Sequence, residues 1–427
     1  MKIKGVNSIF FFASVVLFKL ALDLSYTLIL SDGFAYVGYH LNFDGFRYFS
    51  SWVLYLVSFK LLEPKFNYVK DYFFLTAVLA VLGPLLVLWG LDYRREIFPV
   101  FVSFTAIFLI YFTYAFFLRS RSVKLPRVKH GISISFFISV VLVLFLIVWY
   151  PVSGVSYNLN FAKVYEYRTL NAELSTFGLL IYLNTWIFKV FAVFLLAYGL
   201  LRKWYFFAAF MVLVFILFFA ANTHKSVFFT PFLIVSFWLY FSRFNSLFIV
   251  PLGFSTLVLL SIFSYYYIDD VWMSALFPNR VFEMPAHLTF QYFEFFKENE
   301  FIYFSNSFLK SFVEYPYNLG LANLIGEYNG NADENANNGY ISSAYAQAGI
   351  IVVYLYSVII GLILTVIDKM IIKGEIKAWF ALVIFMVPLR DFLISADFLT
   401  TMLTGGMIWS LLLIYMVRNR PSTNGVI

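Results

Sequence analysis

Residues 97–118 read IFPVFVSFTAIFLIYFTYAFFL, and residues 119–129, directly after them, read RSRSVKLPRVK. The first stretch carries no charged residue, and as a helix it is long enough to cross a hydrocarbon core roughly 30 Å thick. The second holds five basic residues in eleven positions. An uncharged block of spanning length that stops on a basic cluster reads as a transmembrane helix ending on the cytoplasmic side. The fold class follows if this pattern repeats along the chain, and it does.

Over 427 residues, apolar side chains make up 62%, charged ones 12%, and mean hydropathy is +0.84. A soluble domain is about half apolar and a quarter charged. Further blocks with almost no charge fall at 9–30, 47–62, 72–91, 131–150, 177–201, 204–221, 226–241, 246–267, 343–367, 378–394 and 398–417. They are continuous rather than alternating, which excludes a transmembrane barrel. The first block is too long for a signal-peptide core and reads as a retained span. The sequence therefore predicts an all-α polytopic membrane protein with about twelve transmembrane helices. Residues 1–268 hold spans one to nine, 269–342 a large outer loop with amphipathic helices, and 343–427 spans ten to twelve with a short cytoplasmic tail.

Loop charge sets the orientation. With the N-terminus inside, 18 Lys and Arg fall on inner connections and 10 on outer ones, so both termini read as cytoplasmic. Arg94-Arg95 is the clear exception. The net charge of +7 thus reports topology and not a nucleic-acid ligand. Cysteine is absent, which removes disulfides and thiolate chemistry, and the four histidines lie far apart. No metal motif, P-loop or dinucleotide turn is present, and neither a metal nor a cofactor is expected.

Charges inside spans are costly and draw attention first. Lys19 and Asp23 stand four apart on one helix face and read as a structural ion pair, and Lys189 reads as pairing with a neighbouring helix or snorkelling to the interface. At the outer ends, Arg168, Lys225 and Arg280 fall on one side of the membrane; fork-shaped guanidinium donors and a compact ammonium suit a pyrophosphate. The 72-residue stretch 269–340 holds ten acidic and three basic residues with many aromatics. Within it, Ala286 to Phe296 predicts an amphipathic helix lying in the interface plane, with Leu288, Tyr292, Phe293 and Phe296 on one side. Glu294 on that helix is the first choice for a general base, followed by Glu314 and His287, with Glu166 an outsider. Tyr292, Asn335, Asn337, Asn338 and Tyr340 suit a sugar, since rings stack on pyranose faces and amides bind hydroxyls.

Together, Arg280-Val-Phe-Glu-Met-Pro285, Tyr292-Phe-Glu-Phe-Phe296, Ser305-Asn-Ser307, Tyr315-Pro-Tyr317, Asn335-Ala-Asn-Asn-Gly-Tyr340 and Ala348-Gly349 resemble the late outer loop of O-antigen polymerases, the Wzy-type repeat-unit polymerases. Val164-Tyr-Glu-Tyr-Arg168, the span holding Tyr182 and Trp186, and His224-Lys-Ser226 fit the same family. The resemblance covers roughly 160–410; Asn306 stands where a histidine between two serines is expected.

It implies a metal-independent, GT-C-like glycosyltransferase of the bacterial inner membrane, with its large loop periplasmic. Such an enzyme moves a growing glycan from undecaprenyl pyrophosphate to the terminal sugar of a lipid-linked repeat unit. A flippase and a chain-length regulator are the implied partners, beside the bilayer. Arg168, Lys225 and Arg280 match the family's basic sites, with Arg280 also catalytic. O-antigen ligase and a lipid-linked oligosaccharide flippase are the alternatives.

Overall fold

The computed structural model describes residues 8–120, 126–171, 178–331 and 335–418, so Arg121 and Lys124 of the basic loop lie outside the described residues. In chain order the helices are α1 (Ser8–Gly33), α2 (Gly45–Ser58), α3 (Val69–Leu91), α4 (Phe98–Leu118), α5 (Gly131–Val152), α6 (Val164–Leu170), α7 (Leu180–Leu201) and α8 (Tyr205–Asn222). They continue as α9 (Lys225–Phe241), α10 (Ile249–Tyr267), α11 (Met284–Glu298), α12 (Leu321–Tyr328), α13 (Tyr340–Ala348), α14 (Ile350–Ile372), α15 (Ala378–Ile394) and α16 (Phe398–Val417). Among the described residues no strand forms, and only two isolated bridges, Asn42 with Asp92 and Lys65 with Ser246, pair extended backbone.

Nine of these helices are long and apolar enough to cross a membrane: α1, α3, α4, α5, α7, α8, α10, α14 and α16. The chain is a multi-pass membrane protein. The remaining three predicted spans coincide with shorter helices, α2 with 14 residues, and α9 and α15 with 17 each.

Connections gather at two ends. At one, Phe66 donates to the Asn245 carbonyl (2.6 Å), Asp368 accepts from the Val69 amide (2.9 Å), Lys369 reaches Ser120 (3.1 Å), and Glu375 faces Arg127 and Arg418. At the other, Asn42 bonds Leu91 (3.0 Å), Asn158 bonds Ala220 (2.8 Å) and Lys297 pairs with Glu96 (2.5 Å). This second end carries the long 268–339 connection and is called the loop end below. The polypeptide alternates between the ends, as the loop charges predict.

Close packing holds the bundle. A Cβ added to Gly361 on α14 would stand 2.8 Å from the Ile110 carbonyl of α4, so the two helices touch because this residue has no side chain. Wide π-type turns interrupt the ladder at Tyr26–Leu30, Val78–Leu82, Ile187–Phe191 and Ala275–Glu283. Such turns are rare and are frequent at functional sites. Here one carries Lys189 and another Arg280 and Glu283.

The structure corrects the reading of 286–296 as an interface helix. Nine residues of α11 are buried, on several sides: Ala286 to Phe290 without a break, then Tyr292, Phe293, Phe295 and Phe296. A helix apolar around most of its circumference belongs inside a structure rather than on a surface plane. Phe293 stacks on Tyr345 of α13 at 3.9 Å, and Phe98 of α4 packs edge-on against both. Thus α11 is the pillar of the loop end, with a cavity on each flank.

Candidate functional site: two cavities flanking a buried helix

The first cavity, about 450 Å³, lies between α11 and the 92–97 turn joining α3 to α4, and Arg94, Arg95, His287, Glu294 and Lys297 line it. Burial opposes ionisation of Asp92, but hydrogen bonds from Arg94 and Asn42 hold its pKa below the usual carboxylate range. Arg95 lies 3.7 Å from the same carboxylate, donates to the Gly38 carbonyl (3.0 Å), and contacts His287 Nδ1 (3.1 Å). A guanidinium has no lone pair to offer, so His287 Nδ1 is the acceptor and its proton sits on Nε2. Burial first, and the Arg95 charge second, push the His287 pKa down to about 3. His287 is therefore a neutral ring that positions Arg95, and a weak base.

Glu294 reaches this cavity from the exposed face of α11, beside Tyr328. Besides Asp92, this region buries Glu283, which is fully enclosed and, among the described residues, has neither oxygen hydrogen-bonded. Glu314 is exposed in the segment before Tyr315 and Glu166 is exposed on α6, so neither joins this group.

The second cavity, about 320 Å³, lies on the opposite flank and is lined by amides and hydroxyls, among them Asn306, Asn323, Asn335, Asn337 and Gln347. Asn306, the residue in the histidine position, accepts from Gln347 at 3.3 Å. Asn335 and Asn337 are exposed and bonded to each other (2.7 Å). Of the other three expected sugar ligands, Asn338 and Tyr292 also line this cavity, with their polar groups bonded to neighbours. Asn338 ties the loop to Pro285, Thr289 and Ser342 at 2.8 to 3.0 Å. Tyr292 donates to the Ala336 carbonyl (3.0 Å) beneath the cavity wall, and Tyr340 is wholly buried against Ser357 (3.0 Å). Of these three, Tyr340 is not part of the cavity lining.

No cation is part of the second cavity's lining among the described residues, but a cation group lies across the α15–α16 turn from it. Asp397 and Thr400 line it from the turn between α15 and α16. At the α15 end of that turn Asp391 is held by Lys189 of α7 and by its neighbour Arg390, both at 2.7 Å. Two cations share one carboxylate, which leaves an excess of positive charge. Arg168 donates to the Thr223 carbonyl (3.2 Å), and Lys225 opens α9 two residues on. His224 between them has its pKa pushed down to about 4, by desolvation first and then by the charges of Arg168 and Lys189.

The structure thus brings Arg168 and Lys225 into one neighbourhood and adds Lys189 and Arg390. Arg280 stands apart. It is exposed on the Ala275–Glu283 turn, which packs on α10, α3 and α11, and it forms no salt bridge among the described residues.

Arg95 and Glu283 were not singled out as site residues from the sequence, although each left a trace. Arg94-Arg95 broke the inside-positive charge pattern, and Glu283 sits one helical turn before His287. No family model, no curated relative and no solved structure matches this chain.

Proposed function

We propose that the chain is a glycosyltransferase that polymerises lipid-linked oligosaccharide repeat units at the loop end, on the periplasmic face of a bacterial inner membrane. One observation carries this reading: an amide-lined cavity of about 320 Å³ stands on the turn whose other end holds Lys189, Asp391 and Arg390, with Arg168 and His224 close by. Amides suit the hydroxyls of a sugar and the excess cations suit a pyrophosphate. In the reaction, an acceptor hydroxyl oxygen bonds to the donor's anomeric carbon. The bond from that carbon to the pyrophosphate oxygen breaks, its electron pair leaves with the polyprenyl pyrophosphate, and the hydroxyl proton passes to a base. Lys189, Arg390 and Arg168 stabilise the leaving group. Glu294, the first choice for the base from the sequence, lines the first cavity on the other flank of α11, whereas, among the described residues, Asp397 is the carboxylate that lines the amide cavity; Arg280 is not part of this cation group.

The test is direct. Purified protein in vesicles, given a polyprenyl-pyrophosphate-linked repeat unit, should yield a ladder of lengthened glycans and release polyprenyl pyrophosphate. Substrate recovered unlengthened, but moved across the bilayer, would replace the polymerase with a flippase. Transfer to lipid A-core alone would replace it with a ligase.

A further inference from the structure

Glu283 has no role in the reaction above, yet it is the most isolated buried ion-forming group at the loop end. It closes the wide turn that leads into α11, is 0% exposed, and neither carboxyl oxygen has a hydrogen-bond partner. Its surroundings are charged. From α1, Lys19 and Asp23 form a buried pair with both Asp23 oxygens at 3.0 and 3.1 Å from the ammonium. From α2, Tyr48 donates to Asp23 (3.1 Å) and the Trp52 ring covers the Lys19 ammonium at 4.4 Å. From the 92–97 turn come Arg95 and its partner Asp92. On its own element, His287 follows four residues later, on the same face. Tyr26 and Tyr39 complete the shell, Tyr39 packing on His287 at 5.3 Å, and His40 lies beyond. Arg280 is exposed on the turn itself, and α10, packed against that turn, carries no charged residue.

The charges can be counted. Lys19 is bonded to Asp23, and Asp92 is shared by Arg94 and the more distant Arg95, but among the described residues neither Lys19 nor Arg95 makes an ion pair with Glu283. An unpaired carboxylate in such a place costs several kcal/mol, and the group takes up a proton instead. Burial pushes its pKa well above the ordinary carboxylate range, Asp23 adds to the rise, and Lys19 and Arg95 oppose it. An alkali cation is a poor alternative occupant, because it would share the pocket with the Lys19 ammonium.

We propose that Glu283 and Asp23 form a buried proton-binding site, holding one proton between two carboxyls against Lys19, whose state reaches the outer cavity through Arg95 and His287. The linkage is electrostatic. With the proton on Glu283, Arg95 is free to bond Asp92, Gly38 and His287. When the proton leaves, a second anion competes for Arg95, whose hold on Asp92 is already long at 3.7 Å. Arg95 then turns inward, and the cavity loses a cation and the partner of the His287 ring. This inference does not depend on the glycosyl-transfer reading, since a transporter would use the same site.

Infrared spectroscopy on the full chain in bilayers tests it. Wild-type protein should show a protonated-carboxyl C=O band that shifts in D2O, fades as pH is raised, and is absent from Glu283→Gln. Asp368→Asn serves as the control for a fully buried carboxyl at the far end. In Asp23→Asn, Lys19 loses its partner, so Glu283 should ionise to replace it and the band should vanish at neutral pH. For the linkage, the 15N signals of His287 should move at the midpoint of the carboxyl band in wild type and stay still in Glu283→Gln. A carboxyl band unchanged in Glu283→Gln would overturn the site. A His287 signal that titrates the same way in both proteins would overturn the relay. An amide matches a neutral acid in shape, so a Glu283→Gln protein that cannot fold would also count against it.

Discussion

Arg95 and His287 give the sharpest predictions at the residue scale, because each explains the other's state. The His287 ring is buried and faces a guanidinium, so its pKa of about 3 lies far below the 6.5 of a free imidazole. A folded-state pKa depressed in this way means that the unfolded chain binds the proton and the folded chain does not. Stability is therefore full above about pH 6.5 and falls as the pH drops toward 3, by up to about 1.4 kcal/mol per pH unit for this group. Replacing His287 with Phe should flatten that acid limb, read as melting temperature against pH. A limb of unchanged slope would mean that His287 is already charged. Removing the neighbouring charge is a second check. Arg95→Ala deletes one of the two main causes of the low value, so the His287 pKa should rise and its NMR titration move toward neutrality.

Residue identities were partly legible in the sequence. Lys19 and Asp23 were read as a pair from their spacing alone, and they bond at 3.0 Å. Lys189 was read as pairing with a neighbouring helix or snorkelling, and it finds Asp391 on α15. Such pairings follow from the cost of lone charges in a bilayer, which leaves few options. Glu294 and Glu283 show where this logic stops. Both lie on the same aromatic stretch, and only the rotation of α11, set by tertiary contacts, decides that one faces water and the other is sealed.

At the element scale α11 and its neighbours matter most. The aromatic density of 286–296 was visible, but the same residues suit an interface plane or a packed core. Three-dimensional partners settle it, since Tyr345 of α13 packs on Phe293 and Tyr317 packs on Phe296 from outside this helix. The wide turn Ala275–Glu283 had no sequence signature at all. Phe293→Ala should leave a void at the centre of the Phe98, Phe293 and Tyr345 cluster and cost about 3–5 kcal/mol, lowering the thermal stability of the loop end. An unchanged melting curve would mean that α11 does not bear the load. For the bundle, Gly361→Val should cost about 1–3 kcal/mol by prying α14 from α4, read as lower yield of folded protein.

The whole molecule was the most legible level. Block length located the nine helices that are long and apolar enough to cross a membrane, because the bilayer imposes length and apolarity on each one separately. Where those helices meet was not legible, and the candidate site is made of such meetings: α7 with α15 for the shared cations, α11 with α13 and the 335–340 segment for the amide cavity. The three outer cations expected together separate for this reason. Arg168, from the connection between α5 and α7, donates to the Thr223 carbonyl two residues before Lys225, while Arg280 rides on a turn packed against α10 and α3. In activity terms, Lys189→Ala and Arg390→Ala should each shorten the glycan products more than Arg280→Ala does. The central claim, repeat-unit polymerisation, is tested most directly by the glycan ladder of a strain lacking this chain. The account predicts a single repeat unit on lipid A-core, with the full ladder restored by the wild-type chain; bare core, or a ladder of normal length, would contradict it.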